Sequence, residues 1–258
     1  MSRKKVVAVI PARMGASRFP GKPVAKILDL PMIEHVRRRV MLSSVVDDVI
    51  VATCDQEIMD VVQQHGGKAV MTANTHERCT DRVEEAAQSL DMDIAIIVQG
   101  DEPLFFADIL EPLVKPLLEH DELVCTNLIS TIHEEADLKH QDIVKAVLDE
   151  KQQIMYFSRS PIPFLRVRNQ CPMYRQTGVS AFTKDFLKQY SALSPTALEI
   201  AESVDFLRII GHGFPIHAVI YDQVTIGVDR PEDIAKVEHV LRNDPQQQAC
   251  YQKILEMQ

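Results

Sequence analysis

The chain has 258 residues, 46% hydrophobic and 25% charged, an ordinary globular composition long enough for one large domain or a domain with an appendage. A net charge of −9 and an isoelectric point near 5.5 argue against a nucleic-acid binder, which would carry a basic stripe.

The amino terminus reads MSRKK and then VVAVI, an apolar run too short for a signal sequence or a membrane span, so a soluble cytoplasmic protein is expected. Residues 6–10 form a continuous apolar run, as a strand buried on both faces requires. The spacing of Met32, Ile33, Val36 and Val40 predicts a helix over 31–41. A strand is expected over 48–53, then a helix over 55–65 with Asp55 as N-cap and Gly66 or Gly67 as its stop. A strand over 68–72, a helix over 81–90 and a fully apolar strand over 94–98 follow. Strands separated by helix-length segments predict a mostly parallel α/β sheet flanked by helices, with the ligand outside the carboxyl ends of the strands.

After about residue 121 the pattern changes. Residues 123–129, 143–148, 153–158 and 178–182 read as strands with few helices between them, and Asp149-Glu150-Lys151 reads as a hairpin turn. Helices are expected over 184–190, 197–210 and 231–241, with a strand over 216–221, and the polar tail beyond Asn243 is expected to fray. The pattern is one domain over 1–258 with an inserted segment at about 143–185.

Chemistry concentrates in four places. The loop PARMGASRFPGKP follows the first strand and carries Arg13, Arg18 and Lys22, while Gly15, Ala16, Ser17 and Gly21 keep its backbone close to a ligand. Backbone N–H groups and cations so placed suit phosphate oxygens, and a solvated basic turn is the alternative. It is not a Walker A loop, since Pro23 follows Lys22. Gln99-Gly100-Asp101-Glu102-Pro103 ends the 94–98 strand, and Asp101 can offer oxygens to a hard cation or cap the next segment. Asp229, before Pro231-Glu232-Asp233, is either a helix-capping residue or a second metal ligand. Cys79-Thr80-Asp81-Arg82 follows a strand end, where Thr80 could cap a helix and Arg82 could be a surface charge. The histidines, His35 and His76 among them, have no metal spacing and read as solvated. The five cysteines form no Cys-x-x-Cys pair and read as reduced core thiols.

Together these stretches resemble the 3-deoxy-manno-octulosonate (KDO) cytidylyltransferases, also called CMP-KDO synthetases. The matching pieces are IPARMGASRFPGKP, PMIEHV, VATCD, HGGKAVMT, TDR, VQGDEP, VKAVLD, MYFSRSPIPF and GVDRPEDI, in order from Val7 to about Val240. The resemblance implies a nucleotide-diphospho-sugar transferase type of α/β fold in which the insertion serves sugar binding and dimerisation. It implies a Mg²⁺-dependent enzyme, a homodimer, that joins CMP from CTP to the anomeric hydroxyl of KDO for bacterial lipopolysaccharide or capsule. Arg13 and Lys22 would bind the triphosphate, with Arg18 helping, and Asp101 and Asp229 would hold the metal. Thr80, Arg82 and Gln99 would lie near the nucleotide, and Ser158 and Arg159 beside the sugar acid.

The chain departs from the family at the sugar. Gln176 stands where the family has His and Phe182 where it has Tyr, while Asp205-Phe206 replaces a Glu-Gln pair. Replacing hydrogen-bonding groups at Gln176 and Phe206 keeps a modified KDO, or a sialic- or legionaminic-like acid, open as the substrate. An inactive nucleotide-binding regulator is a further alternative, against which the set Arg13, Lys22, Asp101 and Asp229 argues.

Overall fold

The computed structural model describes residues 3–257 apart from 16–17, 168–169 and 223–226. The chain divides into two compact units, Met1–Glu111 with Thr225–Gln258, and Pro112–Val224.

The first unit is built on β1 (Val6–Ala12), whose seven residues are all buried. A small hairpin, β2 (Lys26–Ile27) and β3 (Leu30–Pro31), leads into α1 (Met32–Met41). Then come β4 (Asp48–Thr53), α2 (Gln56–Gln64), β5 (Lys68–Met71), α3 (Cys79–Gln88) and β6 (Ile94–Val98). β1 pairs in parallel with β4 on one side and β6 on the other, and β5 adds in parallel to β4. Because all four strands run the same way, their carboxyl ends share one edge. This is the parallel, helix-flanked sheet that the apolar runs predict. α3 begins two residues earlier than expected, with Arg78 at its N-cap, so Thr80 lies inside the helix and does not cap it.

α4 (Leu110–Glu119) spans the boundary between the units. The second unit contains β7 (Cys125–Thr131), α5 (Glu135–Lys139), β8 (Lys145–Leu148), β9 (Ile154–Ser158) and β10 (Tyr174–Thr183). After these come α6 (Lys184–Ser191), α7 (Ala197–Glu202), α8 (Phe206–Gly211) and β11 (His217–Ile220). β10 lies antiparallel to β7 and β8, β8 to β9, and β11 parallel to β7. The single helix expected over 197–210 is two, because Ser203 takes a left-handed conformation (φ 53°) and stops α7. The segment from about 143 to 185 lies inside this unit.

The chain returns to the first unit with α9 (Pro231–Asn243) and α10 (Pro245–Leu255). The expectation of a frayed tail is wrong. Tyr251 and Ile254 join a core with Ile27, Met32, Leu104, Val237 and Leu241. The polar look of the segment misleads because Gln247 is also buried, its side-chain amide donating to the Leu104 carbonyl at 2.7 Å.

This cover changes the reading of α1. His35 is fully buried rather than solvated: its Nε2–H donates to the Ile27 carbonyl at 2.8 Å and its ring stacks on Tyr251. Burial lowers its pKa to about 4, outweighing the Ile27 bond, and Arg39 and Arg38 lower it further. The same helix buries Glu34 between Arg37 (2.7 Å) and Arg38 (3.1 Å), and Arg38 also donates to the carbonyls of Ile254 and Met257. Of the cysteines, Cys125 and Cys250 are core residues, whereas Cys79 and Cys171 are exposed. No helix among the described residues is long and apolar enough to cross a membrane.

Candidate active site

The shared edge of the parallel strands opens into a cavity of about 270 Å³ lined by Arg13, Arg18, Lys22, Gln99, Asp101 and Asp229, among others. Each side chain is there for a local reason. The basic loop leaves the end of β1 and is closed where the Gly21 N–H donates to the Met14 carbonyl at 3.0 Å. Gly21 has φ 75°, a conformation that glycine adopts without a Cβ penalty. Ala16 and Ser17, expected to help the close approach, lie outside the described residues. Asp101 follows β6 by way of Gly100, and a Cβ at Gly100 would sit 3.2 Å from the Pro11 carbonyl oxygen. Glycine therefore lets the Asp101 loop lie against the end of β1.

Lys22 joins two acidic segments. Its Nζ donates to Asp101 Oδ2 at 2.7 Å and to the Val228 carbonyl at 2.8 Å, and the Val228 N–H donates to the Asp101 carbonyl at 2.8 Å. The Lys22 side chain is only 13% exposed and Asp101 34%, so this pair is partly shielded from solvent. Arg18 meets Asp229 at 3.2 Å with both side chains about half exposed, a contact worth roughly 0–1 kcal/mol and easily exchanged.

Asp229 does not cap α9. Asp233 does that work, accepting the N–H groups of Asp229 and Arg230 at 3.1 and 2.9 Å. Burial opposes the Asp233 charge, but Lys236 and these two N–H groups outweigh it and hold the carboxyl below its usual range. The Asp229 carboxylate is thereby left to face the cavity. Among the described residues no three or more His, Cys, Asp or Glu converge as a complete metal cage. Two carboxylates on one cavity that Arg13, Arg18 and Lys22 also line fit a hard divalent cation, which takes one or two carboxylates and completes its shell with other oxygens and water.

The far wall comes from α3. Arg82 is buried and donates to Thr72 Oγ1 at 2.5 Å and to the Ala73 carbonyl at 3.3 Å. It is thus no surface charge; it ties the start of α3 to the end of β5 while lining the cavity. Thr80 is buried. Gln99 Oε1 lies 3.4 Å from Cys79 Sγ at the cavity's rim. His76, read from the sequence as solvated, lines the cavity with its Nε2 bonded to Glu85. Burial acts against the Glu85 charge, but the Ala73 N–H and His76 hold this carboxyl below its usual range.

The residues expected beside the sugar acid lie in the second unit. Ser158 Oγ donates to Glu202 Oε1 at 2.6 Å, and the Arg159 N–H to Glu202 Oε2 at 2.9 Å. The Arg159 guanidinium donates to the carbonyls of Glu202, Ser203 and Gln141, bracketing the carboxyl end of α7 as a helix C-terminus favours. Lys145 supports it from behind, its Nζ donating to the carbonyls of Arg159, His140 and Ile143. Gln176 is half-buried on β10, beside an irregularity in its pairing with β7.

Phe206 is 6% exposed, and its ring packs on Phe182 at 5.7 Å and edge-on to Phe157 at 6.0 Å. The Phe206 ring, expected beside the sugar acid, is part of the core. The departures at Phe182 and Phe206 are one packing unit rather than two separate losses of a hydrogen-bonding group.

Sequence reasoning missed His76 as a lining residue and the Val228 carbonyl as a partner of Lys22, which no side-chain motif announces.

A family model described as Cytidylyltransferase matches residues 7–226 of the chain. The chain is 39% identical over 244 residues to a 3-deoxy-manno-octulosonate cytidylyltransferase of Geotalea uraniireducens (strain Rf4), covering 90% of this chain and 97% of that protein. It is 39% identical over 242 residues to the enzyme of the same name from Syntrophus aciditrophicus (strain SB), covering 92% and 98%. Among solved structures it is similar to CMP:2-keto-3-deoxy-manno-octonic acid synthetase complexed with CTP, with a TM-score of 0.89 at 38% identity over 93% of this chain and 99% of that one. A cytidylyltransferase from Leptospira borgpetersenii serovar Hardjo-bovis (strain JB197) shares the fold, with a TM-score of 0.64 at 18% identity.

Proposed function

The chain belongs to the cytidylyltransferase family, and from that premise we propose that it transfers CMP from CTP to the anomeric hydroxyl of 3-deoxy-manno-octulosonate, releasing pyrophosphate, in bacterial surface polysaccharide synthesis. The observation that carries the reading is the clamp of Lys22 on Asp101 and Val228 at the mouth of a cavity flanked by Arg13, Arg18 and Asp229.

The sugar hydroxyl gives up its proton to solvent as its oxygen bonds to the α-phosphorus, the bond from that phosphorus to the α,β-bridging oxygen breaks, and negative charge gathers on the departing pyrophosphate. Arg13 and Lys22 are positioned to take the β- and γ-phosphate oxygens. Two of the three N–H bonds of Lys22 go to Asp101 and Val228, and the third is available to a phosphate oxygen. Arg18 can leave its exposed pairing with Asp229 to join them. Asp101 and Asp229 would hold the divalent ion, which we take to be Mg²⁺ and which would supply charge neutralisation at the phosphate oxygens. Gln99 and Arg82 form the nucleoside wall, and Thr80, buried in α3, is assigned to it through packing. Because the attacking and leaving groups need only in-line alignment and charge stabilisation, preorganised cations suffice for catalysis.

For the sugar acid, Ser158, Arg159 and Gln176 remain the assigned contacts, and Phe206 acts through packing. Three of the five guanidinium N–H groups of Arg159 go to backbone carbonyls, leaving two for a carboxylate. The reaction uses CTP, so we place the enzyme in the cytoplasm. We assign the homodimer contact to the second unit, where Phe164 and Val167 are 89% and 63% exposed beside Pro161 and Pro163. Sedimentation of Phe164→Ser against the parent chain tests that contact, and an unchanged dimer would remove Phe164 from it.

The function is tested by pyrophosphate release from CTP, Mg²⁺ and KDO, with CMP-KDO identified by mass. Release with KDO supports the reading, and release with another nonulosonic acid but not KDO replaces the substrate. Tight CTP binding with no release on any sugar acid would make the chain a nucleotide-binding regulator.

A further inference from the structure

Asp55 occupies the N-cap position of α2, yet its carboxylate makes no capping bond to that helix. Asp is among the strongest N-caps, so its use elsewhere calls for a reason. Its Oδ2 accepts the Met14 N–H at 2.8 Å, across a separation of 41 residues, and the Cys54 Sγ lies 3.5 Å from the same oxygen. Its own N–H is taken by Thr53 Oγ1 at 3.1 Å. The Met14 carbonyl accepts the Gly21 N–H at 3.0 Å. Both backbone polar groups of Met14 are therefore tied, one to the end of β4 and one to the far side of its own loop. Arg13 precedes this pinned residue, and Arg18 and Lys22 bracket the turn that closes on it.

The geometry points to Asp55 as a positioning residue for the phosphate-binding loop, fixing Arg13, Arg18 and Lys22 in register for the triphosphate through the Met14 N–H. The inference rests on the nucleotide reading of this cavity. A carboxylate is a strong acceptor for a backbone N–H, and it stands here just past the end of β4, a strand of the central sheet. A loop whose work is to place charge loses that work when it shifts. A misplacement of about 1 Å can cost on the order of 10²-fold in rate even when no contacting group is removed. Asp55 touches no substrate in this scheme; it acts through Met14.

The experiment uses the full chain and three variants of one position: Asp55→Ala, which removes the acceptor; Asp55→Asn, which keeps an oxygen at the same reach; and Asp55→Ser, a good cap that is too short to reach the loop. CTP binding is measured by calorimetry, KM for CTP and kcat by pyrophosphate release, and loop protection by hydrogen exchange at the Met14 amide. Asp55→Ala and Asp55→Ser are expected to bind CTP about tenfold or more weakly, with KM for CTP raised and the Met14 amide exchanging faster. Asp55→Asn recovers most of the affinity and the protection. A purely structural role would instead lower the active fraction with KM and CTP affinity unchanged, and Asp55→Ser would then rescue by capping α2. Either result overturns the inference. Failure of the parent chain to bind CTP would overturn the nucleotide reading instead, and exchange at the Met14 amide would still decide whether Asp55 holds the loop.

Discussion

Replacing Lys22 with Met keeps the aliphatic stem and removes the charge that joins two acidic segments. Two charge-assisted bonds are lost, at 2.7 Å to Asp101 and 2.8 Å to the Val228 carbonyl. Bonds to charged groups contribute about 1.5–3 kcal/mol each, and the one-third exposure of Asp101 screens its share, so Lys22→Met should cost about 2 kcal/mol of stability. Part of that cost is the Asp101 carboxylate left without its cation, so Asp101→Asn added to Lys22→Met should recover about 1 kcal/mol. Turnover behaves differently. Loss of one preorganised donor to the departing charge lowers kcat by roughly 10²–10³, and the second substitution cannot restore it. Urea melts of the parent, both single variants and the double variant give the coupling energy, and single-turnover pyrophosphate release gives the chemical step. Zero coupling in the melts, or Lys22→Met with kcat within about threefold of the parent, would refute the clamp as described.

Asp101→Ala and Asp229→Ala should each lower turnover by at least roughly 10²-fold, and chelation should abolish parent activity reversibly; near-parental rates in either variant would remove that residue from the metal site. His35 has a folded pKa of about 4 against an ordinary 6.5, so the unfolded chain binds its proton first. Its contribution is fully present above about pH 6.5 and lost as pH falls toward 4, of order 3 kcal/mol over the window. His35→Phe keeps a ring on Tyr251 and should flatten that part of the stability–pH curve; an unchanged slope in urea melts at pH 7 and 4.5 would show His35 is not the group. Ile254→Ala, at a fully buried position in α10, should cost about 2–5 kcal/mol, whereas a frayed tail would show no change in the melt.

The parallel sheet was legible because β1, β4 and β6 are short continuous apolar runs, and only a strand covered on both faces can use such a run. The basic loop and Asp101 were legible because they follow those runs directly. Where the sequence misled, a polar residue was spent on a distant partner. His35 reads as solvated, but its ring stacks on Tyr251 of α10, and on the same helix Arg38 is taken up by the carbonyls of Ile254 and Met257. The tail looked frayed for the complementary reason, its polar side chains hiding the two apolar positions that matter, Tyr251 and Ile254. Asp55 has the right type and place for a cap, and no local pattern announces that its carboxylate instead reaches Met14. That the rings of Phe182 and Phe206 meet is likewise a distant contact that the sequence does not state.

The bond from Lys22 to Val228 spans 206 residues, and Arg18 reaches Asp229 across 211. A chain growing on the ribosome therefore makes its cationic loop first and then synthesises more than two hundred residues before the carbonyl and carboxylate that complete the site exist. Until then three cations cluster near the amino terminus with only part of their counter-charge. Such long-range closure also raises the entropic barrier to folding, which places assembly of this edge among the last events in the life of a nascent molecule.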